Sequence, residues 1–105
     1  MLTHVVLFWT KAGLSAVEYE DFQAGLRTLP SISSVSAGWV GTPSATNRPV
    51  IDRSYAFALT LRFKDIAAHD VYQESGPHKQ FIAENRETWK HVRVFDSVAT
   101  RTPTP

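Results

Sequence analysis

The strongest pattern in the chain is a strict alternation over residues 55–63. Tyr55, Phe57, Leu59, Leu61 and Phe63 alternate with Ala56, Ala58, Thr60 and Arg62, which predicts a strand with one buried face. Leu2 to Thr10, LTHVVLFWT, is apolar on both pleat faces and rich in β-branched and aromatic residues, so it predicts a strand covered on two sides. His4 interrupts that rule, because its alternation mates are Val6 and Phe8. After Lys11-Ala12-Gly13, the stretch Ser15-Ala16-Val17-Glu18 reads as a capping box, with Leu14 and Tyr19 placed for a hydrophobic staple. Tyr19, Phe22, Leu26 and Leu29 then recur at helical spacing until Pro30 and the serine-rich SISS segment end the helix. Ile32 to Gly41 predicts a weaker strand in which Gly38 marks a bulge or a close backbone approach, and Thr42 to Pro49 predicts a polar loop.

In the second half, Asp65 suits the N-cap of a helix from Ile66 to about Glu74. Ser75-Gly76-Pro77 interrupts it, and Pro77 suits the first position of a new helix. His78, Phe81, Ile82, Asn85 and Trp89 fall on one face of that helix, directed at the core. His91 to Val98 alternates as a final strand. The order β-α-β-β-α-β predicts an α+β, ferredoxin-like fold, a four-stranded antiparallel sheet with its helices on one face. The folded domain is expected over residues 1–98, followed by a polar tail over 99–105. Because the first strand is apolar on both faces, the helix-free face calls for a cover, most simply a second copy of the chain. A homodimer closing an eight-stranded barrel is therefore expected.

Composition narrows the function classes. At 105 residues the chain makes one domain, and its net charge of +1, without a basic run or an acidic tail, disfavours nucleic acid and membrane surfaces as partners. No apolar run reaches the length of about 18 residues that a bilayer span needs. MLTHVVLFW has neither a basic leader region nor a small-residue cleavage site, so a cytoplasmic location is the default expectation. The absence of cysteine removes disulfides, thiolate ligands and thiol nucleophiles, leaving histidine, carboxylate, tyrosine and serine for any chemistry.

Among those, the stretch YQESGPHKQF draws attention. His78 lies near the amino end of a helix, where the dipole and burial both disfavour a positive charge, so its imidazole is expected to be neutral near pH 7. A neutral imidazole in a closed site can take a proton from carbon next to a carbonyl. Tyr72, across the Ser75-Gly76-Pro77 turn, is placed to donate its hydroxyl to the enolate oxygen that forms. His4 offers a further polar contact in an apolar surround. The plain alternative is that Tyr72 and His78 bond to each other or to backbone and simply pin a corner. His69 and His91 read as ordinary polar positions. No histidine pair has the i, i+4 spacing of a helical metal site and no acidic cluster resembles a calcium loop, so no metal is expected.

MLTHVVLFW, YAFALTLRF, the Tyr72, Pro77 and His78 spacing and TWKHVRVFD together resemble the stress-responsive A/B barrel domain (Dabb) family, over about Leu2 to Asp96. The resemblance implies a dimeric α+β barrel. One enzymatic type within that family, the polyketide cyclases similar to olivetolic acid cyclase, closes a poly-β-ketoacyl chain by an aldol reaction without metal or organic cofactor. By that likeness His78 and Tyr72 would be catalytic and His4 a pocket residue. Val6, Phe8, Tyr19, Phe22, Leu59, Phe81, Val92 and Val94 would line the substrate site. Phe57 stands where the plant enzyme has another pocket histidine, which implies a more apolar wall here. The expected ligand is a small apolar or polyketide-like molecule, and no cofactor is expected. Two other readings remain open: a small-molecule-binding or stress-associated structural protein without turnover, and, by fold analogy, a cofactor-free monooxygenase.

Overall fold

The structure is a computed structural model that describes residues 1–100; the remainder of the expected polar tail lies outside the described residues. Strand β1, Leu2–Thr10, leads through a turn at Gly13, whose φ of 81° suits glycine, into helix α1, Ala16–Thr28. The capping box forms as expected: the Ser15 hydroxyl accepts from the Glu18 amide and the Glu18 carboxylate accepts from the Ser15 amide. A 3₁₀ turn, Leu29–Ser31, follows and carries Pro30. Strand β2, Ala37–Gly41, and strand β3, Phe57–Phe63, come next. Asp65 then caps helix α2, Ile66–Glu74, by accepting from the Ala68 amide.

Helix α3, Gly76–Asn85, starts directly after α2, with Ser75 as the last cap of one and the first cap of the other. Gly76, not Pro77, takes its first position. The helix also ends earlier than the apolar stripe suggests: Trp89 is not its last inward residue but opens strand β4, Trp89–Val98. The reason is local. Asn85 turns its side-chain amide back onto the Phe81 carbonyl, and its own carbonyl accepts from the Thr88 amide, so the backbone closes a turn there. Trp89 still reaches the core, now from the sheet, with its ring 5.3 Å from that of Phe8.

The sheet is four-stranded and antiparallel, in the order β2-β3-β1-β4, as the ferredoxin-like arrangement requires. The register fixes what faces the helices: Leu2, His4, Val6 and Phe8 on β1 share a face with Phe57, Leu59, Leu61 and Phe63 on β3, and all eight are buried. Phe22 and Leu26 of α1, Leu29, Tyr72 of α2 and Phe81 of α3 close this layer. Gly38 makes the close approach its position suggested, since a Cβ there would sit 2.5 Å from a Leu61 methyl and 3.0 Å from the Thr60 carbonyl oxygen.

The opposite face carries Val5, Leu7 and Trp9 of β1 beside Phe95, Arg93 and His91 of β4, and Trp39 of β2 beside Thr60. Trp39 and Phe95 are about half exposed, at 51% and 47%. Each has a guanidinium over its ring, Arg62 on Trp39 and Arg93 on Phe95. Among the described residues no helix is long and apolar enough to cross a membrane.

Candidate active site

A cavity of about 190 Å³ lies between the β1–β4 half of the sheet and helices α2 and α3. Its floor is His4, Val6 and Phe8 of β1 with Leu59 of β3; its roof is Tyr72, Gln73, His78, Phe81 and Ile82; Trp89, Val92 and Val94 of β4 line a third side, and Leu29 a fourth. Val92 and Val94 are exposed although they point to the helix side, because the helices leave β4 uncovered. The cavity therefore opens along the β4 edge.

Local chain geometry sets Tyr72 and His78 against each other. The Ser75 hydroxyl donates to the Tyr72 carbonyl at 2.7 Å and accepts from the His78 amide at 3.3 Å, so one side chain ties the end of α2 to the start of α3. Their rings lie 4.7 Å apart and tilted by 56°, a packing contact and not a hydrogen bond. His78 Nδ1 instead faces the Gln73 carbonyl oxygen at 3.1 Å. A carbonyl only accepts, so Nδ1 carries the hydrogen and Nε2 keeps a free lone pair. Burial lowers the His78 pKa from its ordinary value, the Gln73 carbonyl partly opposing it, so the ring is neutral at pH 7.

Tyr72 is 1% exposed, and burial pushes its phenol well above the ordinary pKa. It therefore stays protonated, and its hydroxyl has no hydrogen-bond partner among the described residues. A phenol held as a donor with nothing to donate to, beside an imidazole with a free lone pair, can bind an oxygen of an occupant and hold it near a base. Of the corner-pinning alternative, the bond to backbone is present, from His78 to the Gln73 carbonyl, whereas the two side chains do not bond to each other and the space beside them is open.

His4 is 4% exposed, and its Nδ1 meets Asp96 Oδ1 at 2.5 Å across the β1–β4 ladder, where the two residues are direct partners. Burial lowers its pKa, and Asp96 works in the other direction. His69 of α2 lies over this pair, with ring centroids 5.1 Å apart and its Nε2 4.0 Å from Asp96 Oδ2. The His4 ring is 6.1 Å from the Tyr72 ring, so His4 on the floor of the cavity and Tyr72 in its roof meet at one end.

Of the residues singled out in the sequence, His4, Val6, Phe8, Leu59, Tyr72, His78, Phe81, Val92 and Val94 line the cavity. Tyr19, Phe22 and Phe57 lie outside the lining and pack together, with Tyr19 tilted on Phe57 at 4.9 Å and Phe22 edge-on to Phe57 at 5.6 Å. Sequence reasoning missed Gln73, Trp89, His69 and Asp96. A signal for Asp96 was present: it is the polar residue on the Val92, Val94 face of the last strand, as His4 is on the first, and this fold pairs those strands. His69 stands one turn before Tyr72, on the same side of α2.

The comparisons with known proteins agree with this architecture. An Arabidopsis thaliana protein of known crystal structure is 21% identical, with a TM-score of 0.81 over 99% of this chain and 100% of that one. A hydroxynitrile lyase from Passiflora edulis is 20% identical, with a TM-score of 0.77 over 97% and 96% of the two chains. A dimeric ferredoxin-like protein of unknown function from Thermobifida fusca is 16% identical, with a TM-score of 0.75 over 93% and 90%. At these identities the likeness is one of fold. No curated protein matches. The sequence profile described as the stress-responsive A/B barrel domain matches residues 2–99, nearly the whole chain, and the protein belongs to that family.

Proposed function

We propose that the protein is a cofactor-independent enzyme acting on a small β-dicarbonyl or polyketide-like molecule, with His78 as general base and Tyr72 as the donor that holds the reacting oxygen. The observation that carries this reading is the pairing of a free His78 Nε2 with an unpartnered, protonated Tyr72 hydroxyl at one apolar cavity. His78 removes a proton from carbon between two carbonyls; Tyr72 donates to the enolate oxygen; the carbanion adds to a second carbonyl of the same molecule, and the alkoxide formed takes the proton back. The apolar lining excludes water and folds the chain, which favours an intramolecular addition over a hydrolytic one. The name of the Passiflora relative points to related chemistry, since cleavage of a hydroxynitrile also moves a proton at oxygen while a carbon–carbon bond next to it breaks.

The working form is a homodimer in which two helix-free faces meet. Support comes from the apolar, partly buried Val5, Leu7 and Trp9 and the half-exposed Trp39 and Phe95 on that face, and from the dimeric Thermobifida relative. A Phe95→Glu change is expected to yield monomers in light scattering.

The test of the catalytic reading is turnover of a panel of linear β-polyketides and 1,3-diketones by the metal-free protein, followed as loss of the enol absorbance. Wild type is expected to accelerate the cyclisation. His78→Ala is expected to lose about 10²–10⁴-fold of that rate, while dichroism and dimer mass stay unchanged. Binding of the same compounds without any acceleration would instead establish a carrier.

A further inference from the structure

The four histidines have no metal-ligand spacing in the sequence, yet the fold brings two of them and a carboxylate to one place. His4 of β1, His69 of α2 and Asp96 of β4 each offer one donor atom, and the three atoms lie within 4.8 Å of one another. We propose that they form a binding site for a first-row divalent transition ion, held by His4 Nδ1, His69 Nε2 and an Asp96 oxygen.

The strongest observation is the orientation of His69. Its Nδ1 faces Asp70 Oδ1 at 3.1 Å, and a carboxylate only accepts, so Nδ1 carries the hydrogen. Nε2 keeps its lone pair, which accepts from Gln73 Nε2 at 3.3 Å, and lies 4.0 Å from Asp96 Oδ2. Two potential donor atoms thus stand side by side across a gap too wide for a hydrogen bond. Donors sharing one tetrahedral ion at bond lengths of about 2.0–2.2 Å stand about 3.4 Å apart, so a small turn of the exposed Asp96 carboxylate brings this pair to bonding distance. The Asp70–His69 contact is the carboxylate–histidine arrangement that orients imidazole ligands and strengthens them as donors. Gln73 Nε2, 3.3 Å from His69 Nε2, occupies the same lone pair now and is displaced when an ion binds.

His4 completes the set from below. It is buried, and among the described residues its only side-chain hydrogen-bond partner is Asp96 at 2.5 Å. An ion between them replaces one shared hydrogen, which moves to His4 Nε2 as the neutral ring changes tautomer. Two imidazoles and one carboxylate, with remaining positions open, select zinc, cobalt, nickel or ferrous iron over magnesium and calcium, which want oxygen ligands. His4 also lines the cavity, so the open positions of the ion lie at its wall.

The site does not rest on the proposed turnover, because His78 and Tyr72 are not among its ligands and its test reads ion binding alone. The experiment is titration of the chelator-treated protein with Co²⁺, read by visible absorbance, and with Zn²⁺, read by competition with a chromogenic chelator. The expected result is one ion per chain, with cobalt bands of a low-coordinate nitrogen and oxygen site. His69→Ala and Asp96→Asn are each expected to weaken binding by about tenfold or more, with the dichroism of both variants unchanged from wild type. His91→Gln, on the opposite face of the sheet, is expected to change nothing. Absence of stoichiometric binding, binding unaffected by His69→Ala, or binding lost in His91→Gln would overturn the assignment.

Discussion

Two clusters under the same face of the sheet follow different physical rules. One is the aromatic group of Phe8, Phe22, Phe57, Phe81 and Trp89; the other is the polar group of His4, His69, Asp96, Tyr72 and His78. Both are anchored on β1, whose inward residues pass from His4 through Val6 to Phe8, so the change of character takes about 13 Å of strand. In the aromatic cluster every ring is satisfied by contact: Phe22 lies 5.4 Å from Phe8, 6.1 Å from Phe81 and 5.9 Å from Trp89. Apart from the Trp89 indole N–H, nothing there needs a partner of a particular chemistry. In the polar cluster each ring nitrogen needs one, and His69 Nε2 finds only the 3.3 Å contact with Gln73, while the Tyr72 hydroxyl has none among the described residues. A folded protein gains little from such a group compared with apolar side chains of equal volume. The cavity lies where the two clusters meet, which is where an occupant can be both enclosed and chemically addressed.

The largest effect should come from the aromatic side. Phe22→Ala removes a fully buried ring from the junction of α1 with the sheet and is expected to cost about 3–5 kcal/mol in chemical denaturation. If it cost no more than a surface change, the aromatic cluster would not be the structural half of the molecule. Asp96→Ala comes next. It leaves buried His4 Nδ1 without its acceptor, at a cost of about 1–3 kcal/mol, toward the low end because water reaches the half-exposed position.

Tyr72→Phe sharpens the contrast most directly, since it deletes only the unpartnered hydroxyl. Stability is expected to change by less than about 1 kcal/mol, while turnover of the β-dicarbonyl panel falls by about 10²-fold or more. A large loss of stability with unchanged turnover would assign Tyr72 to the structural cluster instead.

The smallest effect is a pH dependence. Burial lowers the folded-state pKa of both His4 and His78 relative to about 6.5 in an unfolded chain. Between the lowered values and 6.5 the unfolded state binds more protons, so stability is complete above pH 6.5 and is lost as pH falls below it. Denaturation midpoints measured from pH 7.5 to 5 should decline, and His78→Gln should decline less. For the enzyme reading the acid limb of the rate should likewise lie below 6.5, because the base works as the neutral ring.

Much of this was legible from local rules. The Ser15 capping box, the Asp65 cap, the break at Ser75-Gly76-Pro77 and the alternation of β3 each depend on residues close in sequence, and each formed in place. Trp89 was misplaced for the same reason. Its helical spacing from Phe81 and Ile82 is real, but the Asn85 turn ends α3 first, and the ring enters the same core from a strand. The Tyr72 and His78 positions were within reach because one turn separates them.

His69 and Asp96 were not. Alternation puts Asp96 on the inward face of its strand, but each acquires meaning only from the other and from His4, residues that β1, α2 and β4 carry from distant parts of the chain. Local propensity and periodicity determined the elements, their order and the inward direction of His4 and His78, since those follow from backbone geometry over a few residues. Only the tertiary structure decided which lone pairs converge, which hydroxyl lacks a partner and where the helices leave the sheet open, because those properties belong to the pairing of β1 with β4 and to the packing of α2 and α3 over them.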